Sequence, residues 1–167
     1  DARRRKTRDL IAKYVSKDIM EKILRDPDKI KLDGKRSDIS VLFIDIRNFT
    51  YISETTPPEK VSELLNEYFS ELVPIIFSHN GTVNKFIGDA IMAVFGAPVE
   101  NPEHPVCAVK CALALYEKVQ ELRVKWVLEQ DKPDITIGIG ISSGVAFVGN
   151  VGSDERFEYS VIGNTVN

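Results

Sequence analysis

The chain has 167 residues, a length that suits one domain with a substantial buried core. A hydrophobic fraction of 43% and a charged fraction of 28% are ordinary for a globular protein, and a net charge of −3 argues against a nucleic-acid partner. The two cysteines, Cys107 and Cys111, lack the further ligands of a zinc site, so we interpret both as core residues of a cytoplasmic protein. No apolar run reaches the ~20 residues of a membrane-spanning helix.

Residues 1–34 form a predicted N-terminal linker rather than part of the main domain. A basic cluster over residues 3–8 precedes apolar residues at helical spacing from Leu10 to Leu24, and Asp26-Pro27-Asp28 ends that pattern. A solvated tail carrying a short packed helix is the alternative interpretation.

The first predicted strand covers residues 39–46, and Asp45 interrupts its apolar run. An isolated buried carboxylate would cost several kcal/mol or stay protonated, so Asp45 requires a partner, a metal or a position at the strand end.

A long helix is predicted to begin at Pro57-Pro58-Glu59, because proline suits the first helical positions and glutamate the first turn. We expect Pro74 to kink it and Asn80-Gly81 to end it. Its predicted buried stripe is Val61, Leu64, Leu65, Tyr68, Phe69, Leu72 and Val73.

Two short strands with Gly88-Asp89 between them predict a hairpin. The tip is either an ordinary turn or a rigid mount for a metal-binding carboxylate. If Asp45 and Asp89 meet at one edge of the sheet, together they can hold Mg²⁺.

The segment 101–105 predicts the start of another helix, whose expected core-facing residues are Val106, Val109, Ala112, Leu113, Leu115, Tyr116 and Val119. Two strands, 135–141 and 144–149, are then predicted to form a hairpin around Ser142-Ser143, and a last strand covers 157–162. This order predicts an α+β fold, a mostly antiparallel sheet with helices packed on one face.

Three blocks together carry a family resemblance. They are Phe43-x-Asp45-Ile46-Arg47-x-Phe49-Thr50, then Lys85-x-x-Gly88-Asp89-x-x-Met92-Ala93-Val94-Phe95-Gly96, and Phe157-x-Tyr159-Ser160-Val161-Ile162-Gly163-Asn164-Thr165-Val166-Asn167. In this order and spacing they resemble the catalytic domain of the class III nucleotide cyclases of bacterial type. The resemblance implies a ferredoxin-like cyclase core over residues 35–167, incomplete at its C-terminal side, with an expected arginine four residues after Asn167.

The resemblance implies an adenylyl cyclase that converts ATP to cyclic AMP and pyrophosphate by in-line attack of the ribose 3′-hydroxyl. It implies two Mg²⁺ or Mn²⁺ ions per site, held by Asp45, Asp89 and the Ile46 carbonyl. Phe49 and Thr50 are implied to bind the substrate, and the Ile46–Phe49 turn is expected to offer backbone N–H groups to its phosphates. Arg47 is either a further positive charge there or an exposed ion-pair partner.

Base selection by such a site follows from hydrogen-bond polarity. Lys85 can only donate, which suits the N1 acceptor of adenine, and Ser160 can accept from the adenine amino group. Ser160 departs from the Asp or Thr that is common at this position in adenylyl cyclases, and Asn167 matches an asparagine that orients the ribose.

The family works as a head-to-tail homodimer in which the aspartates of one chain face the Lys85, Ser160 and Asn167 equivalents of the other. The resemblance also implies that this chain is the output domain of a signalling protein and is joined upstream to a sensor or membrane part. A catalytically silent nucleotide-binding domain is the alternative, although the presence of both aspartates and Lys85 argues against it. A diguanylate cyclase is disfavoured because its Gly-Gly-acid loop is not found in the sequence.

Overall fold

The computed structural model describes residues 34–130, 132–152 and 157–167, together with Arg5 and Arg25. The predicted linker helix lies outside these residues. The described elements are β1 (Lys35–Ile46), α1 (Phe49–Thr55), α2 (Pro58–Ser78), β2 (Gly81–Ile87), β3 (Ala90–Phe95), α3 (His104–Glu129), β4 (Ile137–Gly152) and β5 (Phe157–Ile162). Within the described part of the chain, no helix is both long enough and apolar enough to cross a membrane.

The strands form one sheet in the order β2-β3-β1-β4-β5, and every neighbouring pair is antiparallel. β1 lies at the centre, between β3 and β4. The predicted α+β fold with an antiparallel sheet is therefore confirmed.

The central strand supplies core residues to both faces of the sheet because successive side chains point to opposite sides. Leu42, Ile44 and Ile46 pack in one cluster with α2 and α3, whereas Ile39 and Val41 belong to a second cluster with residues of β3 and β4. Both long helices thus lie on the first face, as predicted, and the second face stays free of the described helices.

Helix α2 largely follows its prediction. Leu64, Tyr68 and Leu72 are buried, and Ile76 extends the same stripe by one turn. Pro74 lies inside α2, which continues to Ser78, so the proline does not end the helix.

The predicted core face of α3 is wrong for most of its residues. Four of them point to solvent instead, with exposed fractions of 46% for Val106, 51% for Val109, 63% for Leu113 and 54% for Tyr116. Leu115 and Val119 are buried as expected. The face that packs on α2 and the sheet is formed by His104, Ala108, Cys111, Leu115, Val119, Leu122 and Trp126.

The predicted hairpin around Ser142-Ser143 is also wrong. β4 runs without interruption from Ile137 to Gly152, and β1 pairs with it over twelve consecutive positions, Lys35–Ile46. Ser142 and Ser143 lie opposite Val41 and Ser40, so they are ladder residues rather than a turn.

Candidate active site at the end of the central strand

The last residues of β1 meet the tip of the β2–β3 hairpin. The hairpin turn is Gly88-Asp89, where Gly88 has a φ of 59°, a left-handed conformation that glycine adopts at little cost. The Ile46 backbone N–H donates a hydrogen bond of 2.7 Å to Asp89 Oδ2. This bond fixes the Asp89 carboxylate beside the strand end that carries Asp45.

Asp45 is the second carboxylate at this place. We call the end of β1 together with the Gly88-Asp89 turn the corner. The Oδ1 atom of Asp45 is closed off from solvent and has no hydrogen-bond partner among the described residues, although the side chain as a whole is 45% exposed. Arg47 Nη1 lies 3.6 Å from the same oxygen. The buried oxygen therefore has a neighbouring positive charge and an open lone pair.

This donor set fits a magnesium-type ion. Mg²⁺ is commonly held by one or two carboxylates together with waters and substrate phosphates rather than by an all-protein cage. The described residues contain no group of three or more His, Cys, Asp or Glu side chains suited to a metal. Here the protein's own donors would be Asp45, Asp89 and the Ile46 carbonyl, and the buried Asp45 oxygen that lacks a partner among the described residues favours this set.

The segment after β1 forms the short helix α1, which the sequence patterns did not predict. Asn48 precedes it with a φ of 55°, a left-handed conformation in which asparagine is enriched, and its carbonyl accepts the Ile52 N–H. Phe49 packs partly against the core and Thr50 is exposed. The Arg47 N–H already donates to the Thr136 carbonyl, so this amide is not available to a phosphate.

Lys85 shares a sheet face with Asp45. Met92 of β3 pairs with Lys85 on one side and with Phe43 on the other, and Phe43 and Asp45 occupy alternate positions of β1. Because cross-strand partners point to the same face, both polar side chains lie on the face opposite the helices. The Lys85 residue is exposed.

Ser160 and Asn167 lie at the other side of the sheet. Ser160 is in β5, where it pairs with Gly149, and β5 and the Lys85 strand β2 are the two edge strands. After β5, Thr165 Oγ1 donates to the Val145 carbonyl and the Asn167 N–H to the Gly163 carbonyl. The turn that carries exposed Asn167 is thereby fixed on β4.

Tyr68 adds a polar group beneath this corner that the sequence patterns identified only as core. Its hydroxyl is buried without a hydrogen-bond partner among the described residues. Burial raises the pKa of Tyr68 above its ordinary value, and the nearby charges of Asp89 and Asp45 raise it further. The Tyr68 hydroxyl therefore stays protonated and can act as a donor.

Residues 33–167 match the family model of the adenylate and guanylate cyclase catalytic domain. The chain belongs to this family. It is 35% identical over 156 residues to adenylate cyclase 1 of Rhizobium meliloti, an alignment that covers 93% of this chain and 23% of that protein. The chain thus spans about a quarter of the length of the curated relatives that it matches.

Two solved structures resemble the fold equally well. The guanylyl cyclase Cya2 has a TM-score of 0.75 and 37% identity, over 80% of this chain and 67% of that chain. The adenylyl cyclase CyaB from P. aeruginosa has a TM-score of 0.76 and 36% identity, over 80% of this chain and 69% of that chain. The fold is therefore that of a nucleotide cyclase domain, while the similarities do not separate adenine from guanine.

Proposed function

We propose that this domain is an adenylyl cyclase, which converts ATP to cyclic AMP and pyrophosphate. The observation that carries the proposal is the corner at which Asp45 and Asp89 lie close together. The N–H of Ile46, the residue after Asp45, donates a hydrogen bond of 2.7 Å to Asp89 Oδ2. Asp45 Oδ1 is buried and has no hydrogen-bond partner in the part of the chain that the structure describes, as is expected of an oxygen where a cation completes the site.

The chain's own residues bind and orient the reacting groups. When bound, two divalent cations supply the charge that favours deprotonation of the 3′-hydroxyl and departure of pyrophosphate. Asp45 and Asp89 would hold these cations together with the Ile46 carbonyl. The hydrogen bond to Asp89 reduces the reorganisation that binding requires, because one carboxylate is already oriented. Phe49 and Thr50, the first two residues of α1, follow the end of β1 closely in sequence and would contact the substrate.

Adenine recognition is assigned to Lys85, whose ammonium donates to N1 of adenine but has nothing to offer the protonated N1 of guanine. Ser160 accepts from the amino group of the base, and Asn167 orients the ribose. A hydroxyl lacks the charge of an aspartate, so we expect discrimination against GTP to rest mainly on Lys85.

A second copy of the chain completes each site. Apolar side chains are exposed beside the hairpin tip, at Phe86 and Ile87, and along the β4–β5 pair, at Val145, Phe147 and Ile162. Such exposed apolar side chains are typical of a surface that a partner covers. In a head-to-tail homodimer, Lys85, Ser160 and Asn167 of one chain face Asp45 and Asp89 of the other. We further propose that the domain is the output domain of a larger signalling protein.

The proposal is tested by measuring cyclic AMP from ATP and cyclic GMP from GTP, each with Mn²⁺ and with Mg²⁺. We expect ATP to be the better substrate, and Lys85→Glu to lower the rate with ATP at least tenfold relative to GTP. Lys110→Glu, the same charge change at an exposed position of α3, serves as the control. A preference for GTP would overturn the base assignment, and nucleotide binding without either product would favour a silent regulatory domain.

A further inference from the structure

Arg47 occupies a place that the sheet leaves free beside Asp45. Gly138 of β4 is the cross-strand partner of Asp45, and a Cβ atom on Gly138 would overlap the Arg47 guanidinium. The Arg47 N–H is tied to the Thr136 carbonyl at 2.8 Å, which fixes the backbone from which the side chain extends. Because Gly138 has no side chain, the Arg47 guanidinium can lie against β4 at this position. We call this space the seat.

The Arg47 guanidinium offsets the negative charge of Asp45 without forming a hydrogen bond to the oxygen that would bind a metal. Arg47 Nη1 is 3.6 Å from Asp45 Oδ1, which is an ion-pair distance but is too long for a hydrogen bond. The lone pair of that oxygen accordingly remains open, as its lack of a hydrogen-bond partner in the described chain also indicates.

This arrangement has opposite effects on the empty and the metal-bound site. Without a metal, a cation next to Asp45 offsets the repulsion between the carboxylates of Asp45 and Asp89. With a divalent ion bound to Asp45, the same guanidinium is a like charge at short range. We propose that Arg47 is a positioning residue of the metal site, which holds Asp45 in place while the site is empty and lowers the site's affinity for divalent cations. This inference rests on the proposed function, because it takes Asp45 and Asp89 as the metal ligands.

The expected size of the effect is modest. The side chains of Arg47 and Asp45 are 60% and 45% exposed, so solvent screens their interaction. A unit charge a few ångströms from a divalent ion under such screening changes its affinity by about 3- to 10-fold.

The test uses Mn²⁺ alone, without nucleotide, and measures the dissociation constant from water-proton relaxation and from the Mn²⁺-dependent rise in Tm. We expect Arg47→Gln to bind Mn²⁺ about 3- to 10-fold more tightly than wild type and to have a lower Tm in EDTA. Gly138→Ala keeps the charge but removes the seat, and should change the affinity in the same direction. Arg36→Gln makes the same charge change near the far end of β1 and should have no effect.

An affinity for Mn²⁺ in Arg47→Gln that equals or falls below that of wild type would overturn the proposal. So would an equal rise in Arg36→Gln, because the effect would then be one of net charge. Asp45→Asn separates this failure from that of the proposed function. If Asp45→Asn binds Mn²⁺ as wild type does, the metal is not held at Asp45 at all, and both assignments fall.

Discussion

The two aspartates of the candidate site differ in how the fold supports them. Asp89 is held by a backbone hydrogen bond from Ile46, whereas Asp45 has a neighbouring guanidinium and one buried oxygen to which no described residue donates. An apolar strand tolerates Asp45 because it is the penultimate residue of β1, where the side chain is partly open to solvent. The two positions should therefore respond differently to substitution.

We expect Asp45→Ala and Asp89→Ala each to lower kcat at least about 100-fold, because each removes a ligand of the proposed cations. Their stabilities should differ. Asp89→Ala also removes the acceptor of the Ile46 N–H and should cost about 1 kcal/mol of the free energy of unfolding. Asp45→Ala, by contrast, breaks no hydrogen bond between its buried oxygen and the residues that the structure describes.

Cyclic AMP assays at saturating Mn²⁺ and urea unfolding measure these effects. Asp134→Ala, which removes an exposed carboxylate from the loop between α3 and β4, is the control and should keep its activity. Wild-type kcat in either Asp45→Ala or Asp89→Ala would show that the metal assignment is wrong.

At the scale of elements, the sequence predicts α3 but not which side of it is buried. Apolar residues follow two stripes of this helix, one through Val109 and Leu113 and one through Ala108, Cys111 and Leu115. Helical periodicity marks both stripes equally. The packed stripe carries the small side chains of Ala108 and Cys111, which permit close approach to the sheet, and only the tertiary contacts select it.

The β4 segment shows local turn propensity overridden by pairing. Ser142, Ser143 and Gly144 are turn-forming residues, but β1 offers each of them a ladder partner in the sheet. Ser143 Oγ also lies 2.6 Å from Ser40 Oγ, a hydrogen bond that depends on the continuous strand. The residue pattern of one segment contains no information about a pairing strand that lies about a hundred residues away in the sequence.

Ser40 links β1 to both β4 and α3. It is fully buried, and its hydroxyl lies 2.7 Å from Nδ1 of buried His104, whose Nε2 is 3.4 Å from Asp38 Oδ2. Ser40→Ala should lower the free energy of unfolding by about 1–3 kcal/mol, because it leaves a buried imidazole nitrogen without its partner.

Urea unfolding checks the Ser40→Ala prediction, with Ser53→Ala as the control. Ser53 is an exposed residue of α1 whose hydroxyl donates to the Thr50 carbonyl, so its loss should stay within about 0.5 kcal/mol. Equal losses in the two variants would contradict a specific role for the buried Ser40 hydroxyl.

Helices α2 and α3 are joined by an ion-pair cluster around Glu67. Lys125 Nζ lies 2.6 Å from Glu67 Oε1, and Lys132 Nζ lies 3.4 Å from Glu67 Oε2. The hydrogen bond from Lys125 holds the pKa of Glu67 below its ordinary value of 4.5, with a further contribution from the charge of Lys132. Since the folded-state pKa is lowered, Glu67 stabilises the fold above the unfolded-state pKa, and this contribution is lost as the pH falls through the folded value.

Glu67→Gln should therefore be less stable than wild type at pH 7, and the difference should shrink as the pH is lowered below about 4.5. Unfolding free energies from urea titrations between pH 7 and pH 3 measure it. Glu54→Gln makes the same substitution at an exposed position of α1 and serves as the control. A Glu67→Gln difference that is independent of pH would rule out the ion pairs as its cause.

At the scale of the whole molecule, the sheet order distributes the polar residues over three places. Asp45 and Asp89 meet where β1 ends, Lys85 lies on one edge strand, β2, and Ser160 lies on the other, β5. The sequence blocks name these residues, but their spacing along the chain cannot reveal a strand order in which β1 is central. A site shared between two copies is the arrangement that we propose for them.

The shared site is tested most directly by mixing Asp45→Ala and Lys85→Ala, each of which we expect to be nearly inactive alone. In a head-to-tail dimer of one chain of each kind, one site carries both lesions and the other carries neither. At equal amounts with free exchange, half of the dimers are mixed and each has one intact site of two, so roughly a quarter of wild-type cyclase activity should return.

The control mixes Asp45→Ala with Asp89→Ala, which damage the same half of the site, so that every site in a mixed dimer keeps one lesion and no activity should return. With subunit exchange demonstrated independently, we predict recovery in the first mixture and none in the second. Activity in the first mixture that stays at the sum of its two variants would contradict the shared adenylyl cyclase site.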